Sequence, residues 1–321
     1  MVKFYISDDD ESQRLDRFLK KYLRNAPLSH IYKLIRKDVK VNGKRVKPDR
    51  ILKSGDELTI YISEEDDGLF RDNRQVVRQN RQFGIAYEDE NMLIAIKPFG
   101  LLTHGSVSEK KKTLSNQVLS YLIEKKEYGP PKAAFSPAPV NRLDRNTTGL
   151  VIFGKTGAAL RDLNSMLRAK NRIRKIYLTI AAGEIESDLI LKGSLSKDTD
   201  ENMVSVSDSG RLSGKEIETI VKVKARKKGF SLLEVEPVTG RTHQIRAHLA
   251  HTGYPIIGDA KYGDKRLNRD ISEKYGLTTQ ILHAERLIFE NMTPHFEYMT
   301  GLEVRAEMPE EFRRIKSEIF D

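Results

Sequence analysis

Between residues 12 and 24 the apolar positions Leu15, Phe18, Leu19, Tyr22 and Leu23 recur at helical spacing, and Ser12 stands where a side-chain cap would open the helix. Pro27 breaks the pattern and Ser29 offers a second cap. Ile31, Leu34 and Ile35 then resume the period, with Lys33, Arg36 and Lys37 together on the outer face. After this helix pair, VKVNGKRVK predicts short strands turning at Asn42-Gly43, and ILKSGDELTIYI closes the unit with another strand. The stretch SEEDDGLFRDNRQVVRQNRQ at 63–82 holds only two short apolar pairs and keeps no period, which predicts a linker.

From Phe83 onward the pattern is mostly that of strands. NMLIAIKP (91–98) and GLVIFGKT (149–156) are apolar strands, and TGAALRDLNSMLRAKN (156–171) is a helix with Leu160, Leu163 and Leu167 on one face. IRKIYLTIAA (173–182), EIETIVKVKAR (216–226) and GFSLLEVEPVTG (229–240) alternate as sheet strands do, the last two joined as a hairpin through Lys-Lys-Gly-Phe. Several antiparallel strands with a few helices predict an α+β body. The expected organisation is a small basic α/β module at 1–63, a linker at 64–82 and a large domain at 83–321.

Composition narrows the chemistry. The 321 residues include no cysteine, which excludes a disulfide framework, a thiol nucleophile and cysteine-ligated metal, and fits a reducing compartment. No apolar run approaches 18 residues and MVKFYISDDDESQR has no apolar signal-peptide centre, so no membrane partner and a cytoplasmic location are expected. The net charge of +10 favours a polyanionic partner. Residues 12–62 carry fourteen Lys and Arg against five acids, so nearly all of the surplus sits in the N-terminal module. Arg14, Arg17, Lys33, Arg36, Lys37, Lys44 and Arg45 are its candidate RNA contacts, because phosphate contacts supply most non-specific affinity.

Three polar islands lie where strands end or pair. Residues 141–149, NRLDRNTTG, flank Asp144 with Arg142 and Arg145, cations that favour an ionised carboxylate, although a turn Asp serving backbone amides has the same spacing. Lys175 and Tyr177 share one face of a strand, where a Tyr is more often core. Residues 239–248, TGRTHQIRAH, bring His243 and His248, with His251 just beyond. Their spacings do not match a helical metal pair, and no metal is expected. No Gly-rich phosphate loop appears, so nucleoside triphosphate chemistry lacks support.

These blocks carry a resemblance. QRLDRFLKKYLRNAPLSHIYKLIRKDVKVNGKRV and LKSGDELTI resemble the S-four-type RNA-binding domain over about 50 residues. IAIKPFGLLTHG, RLDRNTTGL, RKIYLTIAAG, PVTGRTHQIRAHLAHTGYPIIGDAKYG and LHAERLIF resemble the RluA-type pseudouridine synthases, in the branch acting on large-subunit ribosomal RNA. The resemblance implies a pseudouridine synthase fold with a mixed, mainly antiparallel sheet and a central cleft. It also implies a catalytic Asp144, with Tyr177 and Arg241 as the other active-site residues. Arg142, Arg145, Lys175 and Ile245 are the RNA contacts expected in this domain. Asn141 stands where many members have His, and Gly105 follows His104 where others have Pro; both departures are expected to bear on substrate choice.

Pseudouridine formation breaks the N1 glycosidic bond, turns the uracil and rejoins it through C5, which calls for a nucleophile and a base-holding pocket and for no cofactor. A carboxylate can attack the anomeric carbon or uracil C6, or remove a sugar proton to give a glycal. Arg241 is expected to hold Asp144 ionised by its planar fork, and Tyr177 to stack on the flipped base and serve C5 deprotonation. The expected partner is large-subunit ribosomal RNA or the assembling subunit, met by a monomer. Competing readings are a synthase acting on tRNA, an inert assembly factor of the same fold and a metal-dependent nuclease.

Overall fold

The N-terminal module folds from β1 (Val2–Tyr5), α1 (Leu15–Tyr22), α2 (Leu28–Lys37), β2 (Val39–Val41) and β3 (Glu57–Ile60), with β3 central in an antiparallel sheet between β1 and β2. The computed structural model describes residues 1–71, 79–105, 112–128, 134–197, 203–208 and 214–321. α1 buries Leu15, Phe18, Leu19 and Tyr22, and α2 buries Ile31, Leu34 and Ile35, as their spacing predicts. Neither expected serine cap forms. Ser12 has a left-handed backbone two residues ahead of Arg14, the actual cap, while the backbone N–H groups of Leu15 and Asp16 donate to Arg50 and Pro48 carbonyls. A neighbouring loop thus satisfies the helix-end donors that a side chain was expected to take. Ser29 lies inside α2, which Pro27 opens.

The segment read as a linker begins with a helix, α3 (Glu64–Phe70). Ser63 caps it by accepting from Asp66 N at 3.0 Å, and four acids in its first turn complement the helix dipole. It belongs to the module: the Phe70 carbonyl accepts from Asn25 N, its ring lies 4.7 Å from that of His30, and the Arg71 guanidinium lies 4.8 Å over Tyr22. Residues 72–78 of the expected linker lie outside the described residues.

The large domain runs β4 (Gly84–Glu88), β5 (Met92–Lys97), α4 (Leu114–Glu124), β6 (Ala138–Pro139), β7 (Thr148–Gly154), α5 (Gly157–Arg168), β8 (Ile173–Ala182), β9 (Leu189–Lys197), β10 (Val204–Asp208), β11 (Lys215–Lys227), β12 (Phe230–Pro237), α6 (Gln244–His251), α7 (Lys265–Tyr275), β13 (Leu282–Phe289), β14 (Glu303–Arg305) and α8 (Glu310–Phe320). Its sheet has the order β10-β9-β11-β12-β8-β13-β7-β5-β4, with β6 on β7 and β14 on β13. Pairing is antiparallel except where β13 meets β7. This is the expected α+β architecture with a mixed, mainly antiparallel sheet. No helix among the described residues is long and apolar enough to cross a membrane.

The parallel junction of β13 and β7 joins the two halves of the sheet, and it depends on Gly149. A Cβ there would stand 2.1 Å from the Ala284 carbonyl oxygen, and its φ of 107° belongs to glycine. One core packs Leu178, Ile180, Leu233 and Val235 with Phe312 and Ile315 of α8; another packs Ile94, Leu150 and Ile152 with Leu163 and Met166 of α5. Each such side chain contributes roughly 1.5–3 kcal/mol on full burial. The junction therefore rests on apolar layers that hold its connecting loops in place.

Candidate active site

Asp144 lies in the loop at 141–147 that feeds β7, and neighbouring segments pin this loop on both sides of it. The Thr103 hydroxyl donates to the Leu143 carbonyl at 2.9 Å and accepts from Leu143 N at 3.2 Å. On the other side, fully buried Lys97 donates from Nζ to the carbonyls of Pro98 (3.0 Å), Leu101 (2.7 Å) and Arg145 (2.8 Å). Asn141 accepts from Ile152 N at 2.8 Å and donates to the Leu150 carbonyl at 3.2 Å. Its amide is committed to the backbone of β7.

Burial pushes the Lys97 ammonium down to about 7, Asp144 opposing and Arg145 reinforcing the shift. In the unfolded chain Lys97 titrates at its ordinary 10.5, so between these values the folded protein holds fewer protons and stability rises with pH. Lys97→Met should abolish that rise. The unfolding free energy of wild type over variant, from urea titrations, should grow by about 1.4 kcal/mol per pH unit across the window. The variant's kcat should also fall, because the Arg145 carbonyl loses its anchor. Parallel stability curves would show that Lys97 does not titrate there.

The cation on Asp144 is Arg246, whose Nη1 donates to Asp144 Oδ2 at 2.9 Å. Arg241 does not take this place: it is exposed and precedes α6, where its backbone N–H donates to Gln244 Oε1. Arg246 lies on the inward face of α6 beside Ile245 and Leu249, and points Nε and Nη2 at Asp259 Oδ2 and Oδ1, 2.7 and 2.9 Å away. Asp259, itself fully buried, also accepts from the backbone N–H groups of Lys261 and Tyr262. Burial pulls the Arg246 pKa down, but Asp259 and then Asp144 more than restore it, so the net shift is upward and the guanidinium stays charged. One planar fork is fixed by Asp259 and aimed at Asp144.

His243 and Tyr262 close this side of the site. His243 Nε2 is 3.8 Å from Asp144 Oδ2, its Nδ1 is 2.9 Å from the Tyr262 hydroxyl, and the Tyr262 ring lies 5.2 Å from the Arg246 guanidinium carbon. Burial lowers the His243 pKa against the pull of Asp144, which keeps the ring neutral at neutral pH. His248 is turned away and pairs with Thr219 at 3.0 Å, so the histidines do not converge. Tyr177 is buried on β8. Burial first, and the charge of Asp144 second, push its phenol up. Held protonated, the phenol suits stacking and donation, and to take the C5 proton it would first have to pass on its own.

The expected RNA contacts divide by exposure. Arg17, Lys33, Arg36, Lys37, Lys44 and Arg45 are exposed on the module, and Arg142 and Arg145 are exposed beside Asp144. Arg14 is half-buried and gives a two-pronged contact to Asp16 at 3.0 and 2.8 Å. Lys175 and Ile245, expected as RNA contacts, are instead buried in this structure, 8% and 5% exposed, with Ile245 in the main core. Arg246, Asp259, His243 and Lys97 were missed as site residues. The available signal was a lone charge in an apolar stretch, as at Lys97 after the run from Met92 to Ile96, since a buried charge demands a partner.

The sequence model of the RNA pseudouridylate synthases matches residues 91–251, and that of the S4 domain matches residues 13–58. The ribosomal large subunit pseudouridine synthase C of Haemophilus influenzae is 36% identical over 295 residues, covering 89% of this chain and 86% of that protein. Its Escherichia coli counterpart is 36% identical over 315 residues, covering 95% of this chain and 91% of that protein. Among solved structures, human RNA pseudouridylate synthase domain containing 4 shares the fold with a TM-score of 0.57 at 22% identity, over 73% of this chain and 92% of that one.

Proposed function

The chain belongs to the RNA pseudouridylate synthase family, and from that premise we propose that it isomerises uridines of large-subunit ribosomal RNA with Asp144 as the reacting carboxylate. The observation that carries this reading is the Asp144 carboxylate, held 2.9 Å from a guanidinium that Asp259 fixes, with Tyr177 close enough to feel its charge. The net reaction moves one glycosidic bond from N1 to C5 while C5 gives up a proton and N1 gains one. It calls for no cofactor and no metal. The target base has to leave the RNA stack to reach Asp144, and stacking on Tyr177, which is 8% exposed here, requires its ring to be uncovered when RNA binds. Attack at the anomeric carbon, attack at C6 and glycal formation all use the same ionised carboxylate. The name of the relatives supplies the RNA class, and the protein is taken to work as a cytoplasmic monomer.

The test is a map of pseudouridine in ribosomal RNA from cells with and without this chain, repeated with purified protein acting on the RNA of the deficient cells. Sites lost in the first and restored in the second are the expected result. Identical maps and no conversion in vitro would overturn the function.

The module is proposed to supply sequence-independent grip on the RNA. Removing residues 1–71 should flatten the salt dependence of RNA affinity by about 0.7–0.9 in log–log slope for each phosphate that the module no longer neutralises. Filter binding at several salt concentrations measures this, and equal slopes for the two proteins would count against the module as an RNA platform.

A further inference from the structure

The module is seated on the large domain through polar contacts that neither catalysis nor the basic face uses. The first residue of α5, Gly157, donates its backbone N–H to Asp9 Oδ1 at 2.6 Å. One turn on, Arg161 Nη1 donates to the carbonyls of Asp9 (3.3 Å) and Glu11 (3.2 Å), and its Nη2 reaches the Asp8 carbonyl at 3.4 Å and the Glu11 carboxylate at 3.5 Å. The approach is close enough to require glycine: a Cβ on Gly157 would stand 2.0 Å from the Asp9 carbonyl oxygen. The loop carrying Asp9 is itself braced. Asp10 is fully buried beside Ser7 and Gln13, and Asp8 accepts from Ser54 of the module at 2.5 Å. An acidic side chain at a helix N-terminus, a guanidinium spanning three carbonyls and a backbone contact with no room for a methyl group together make a fixed seat.

We propose that Gly157 and Arg161 form a docking seat for the Asp9 loop that fixes the RNA-binding face relative to Asp144, so that the seat determines which uridines the enzyme selects. This rests on the function proposed above and deepens it. A tethered module would raise the local concentration of any RNA it holds, whereas a seated module holds its RNA element at one offset from the cleft. Only a uridine at that offset from the bound element then reaches Asp144. The seat lies outside the group of Asp144, Arg246 and Tyr177, so releasing it leaves the reacting groups in place.

The test uses the full chain with Gly157→Ala, Asp9→Ala and the double variant, and ribosomal RNA purified from cells lacking the protein as the probe. Alanine suits a helix at this position, and the nearest atoms its added methyl group strikes are those of Asp9. Small-angle X-ray scattering should show a larger radius of gyration for each single variant. The pseudouridine map should show at least about a tenfold loss of single-turnover rate at the wild-type sites, with conversion spreading to others. If both residues act through one seat, the double variant should be no worse than the worse single. Unchanged scattering, or a released module with an unchanged map, would overturn the seat as a determinant of selection. Additive losses would do the same, by assigning each residue a separate role. A wild-type chain that forms no pseudouridine would overturn the proposed function and this inference together; variants that share the wild-type sites and rates would overturn this inference alone.

Discussion

Asp144→Asn should give a folded, RNA-binding protein whose single-turnover rate of pseudouridine formation is lower by on the order of 10⁴–10⁶-fold, as when other enzymes lose a nucleophile. The amide keeps the size of the carboxylate but can neither attack the anomeric carbon or C6 nor remove a sugar proton, so the prediction holds for all three routes. Little else should change. The Asp144 side chain is 26% exposed, and an amide oxygen can still accept from Arg246, which keeps both of its bonds to Asp259. The stability cost should stay within about 1 kcal/mol, in the range of substitutions that leave no buried group unpaired. Release of label from C5-tritiated uridine in ribosomal RNA measures the rate, and thermal melting and filter binding check fold and affinity. Turnover near the wild-type rate would move the chemistry to another group.

The sequence shows most plainly what depends on local period. The strand expected at 173–182 is β8 with the same ends, and the helix expected at 156–171 is α5 at Gly157–Arg168, because alternation and helical spacing record which face is buried. The Asn42-Gly43 turn forms with both residues at positive φ, yet β2 pairs with β3 and meets Lys44 only in a bridge. Turn chemistry is local; strand partners are not. The linker reading failed at α3 because that helix is set by its Ser63 cap and acidic first turn, which leave no apolar period to read. In the site, Asp144 is marked by its own block, but its cation is 102 residues away. Choosing Arg246 over Arg241 depends on where α6 begins and which way it faces, and both follow from tertiary packing. Lys175 falls on the face alternation gives it, but its burial, 8% exposed, depends on packing that alternation does not record.

Replacing Arg246 should damage chemistry and fold by separable amounts. Arg246→Lys keeps one charge but loses the fork, so it can serve Asp259 or Asp144 but not both in the geometry that Nε, Nη2 and Nη1 hold together. The single-turnover rate should fall on the order of 10²-fold, in the range for losing one preorganised charge-stabilising donor, and Arg246→Met should fall further. The fold responds through Asp259. Burial raises its pKa, while Arg246 and the amides of Lys261 and Tyr262 lower it more, so the net shift is downward. A carboxyl lowered in the folded state contributes stability above its unfolded value and loses it as pH falls through the folded one. Without the guanidinium, burial faces only the two amides, Asp259 takes up its proton at higher pH, and the acid-unfolding midpoint of Arg246→Met should move up. At neutral pH the uncompensated charge should cost on the order of 3–5 kcal/mol, less whatever protonation relieves. Asp259→Asn separates the two effects: it relieves the buried charge and loosens the aim of Arg246, so it should lower kcat while leaving RNA KM unchanged. Saturating enzyme keeps weakened binding from passing as weakened chemistry. A folded Arg246→Met protein with a near-normal single-turnover rate would assign Arg246 to holding Asp259 and the fold, and leave Asp144 without need of a fixed cation.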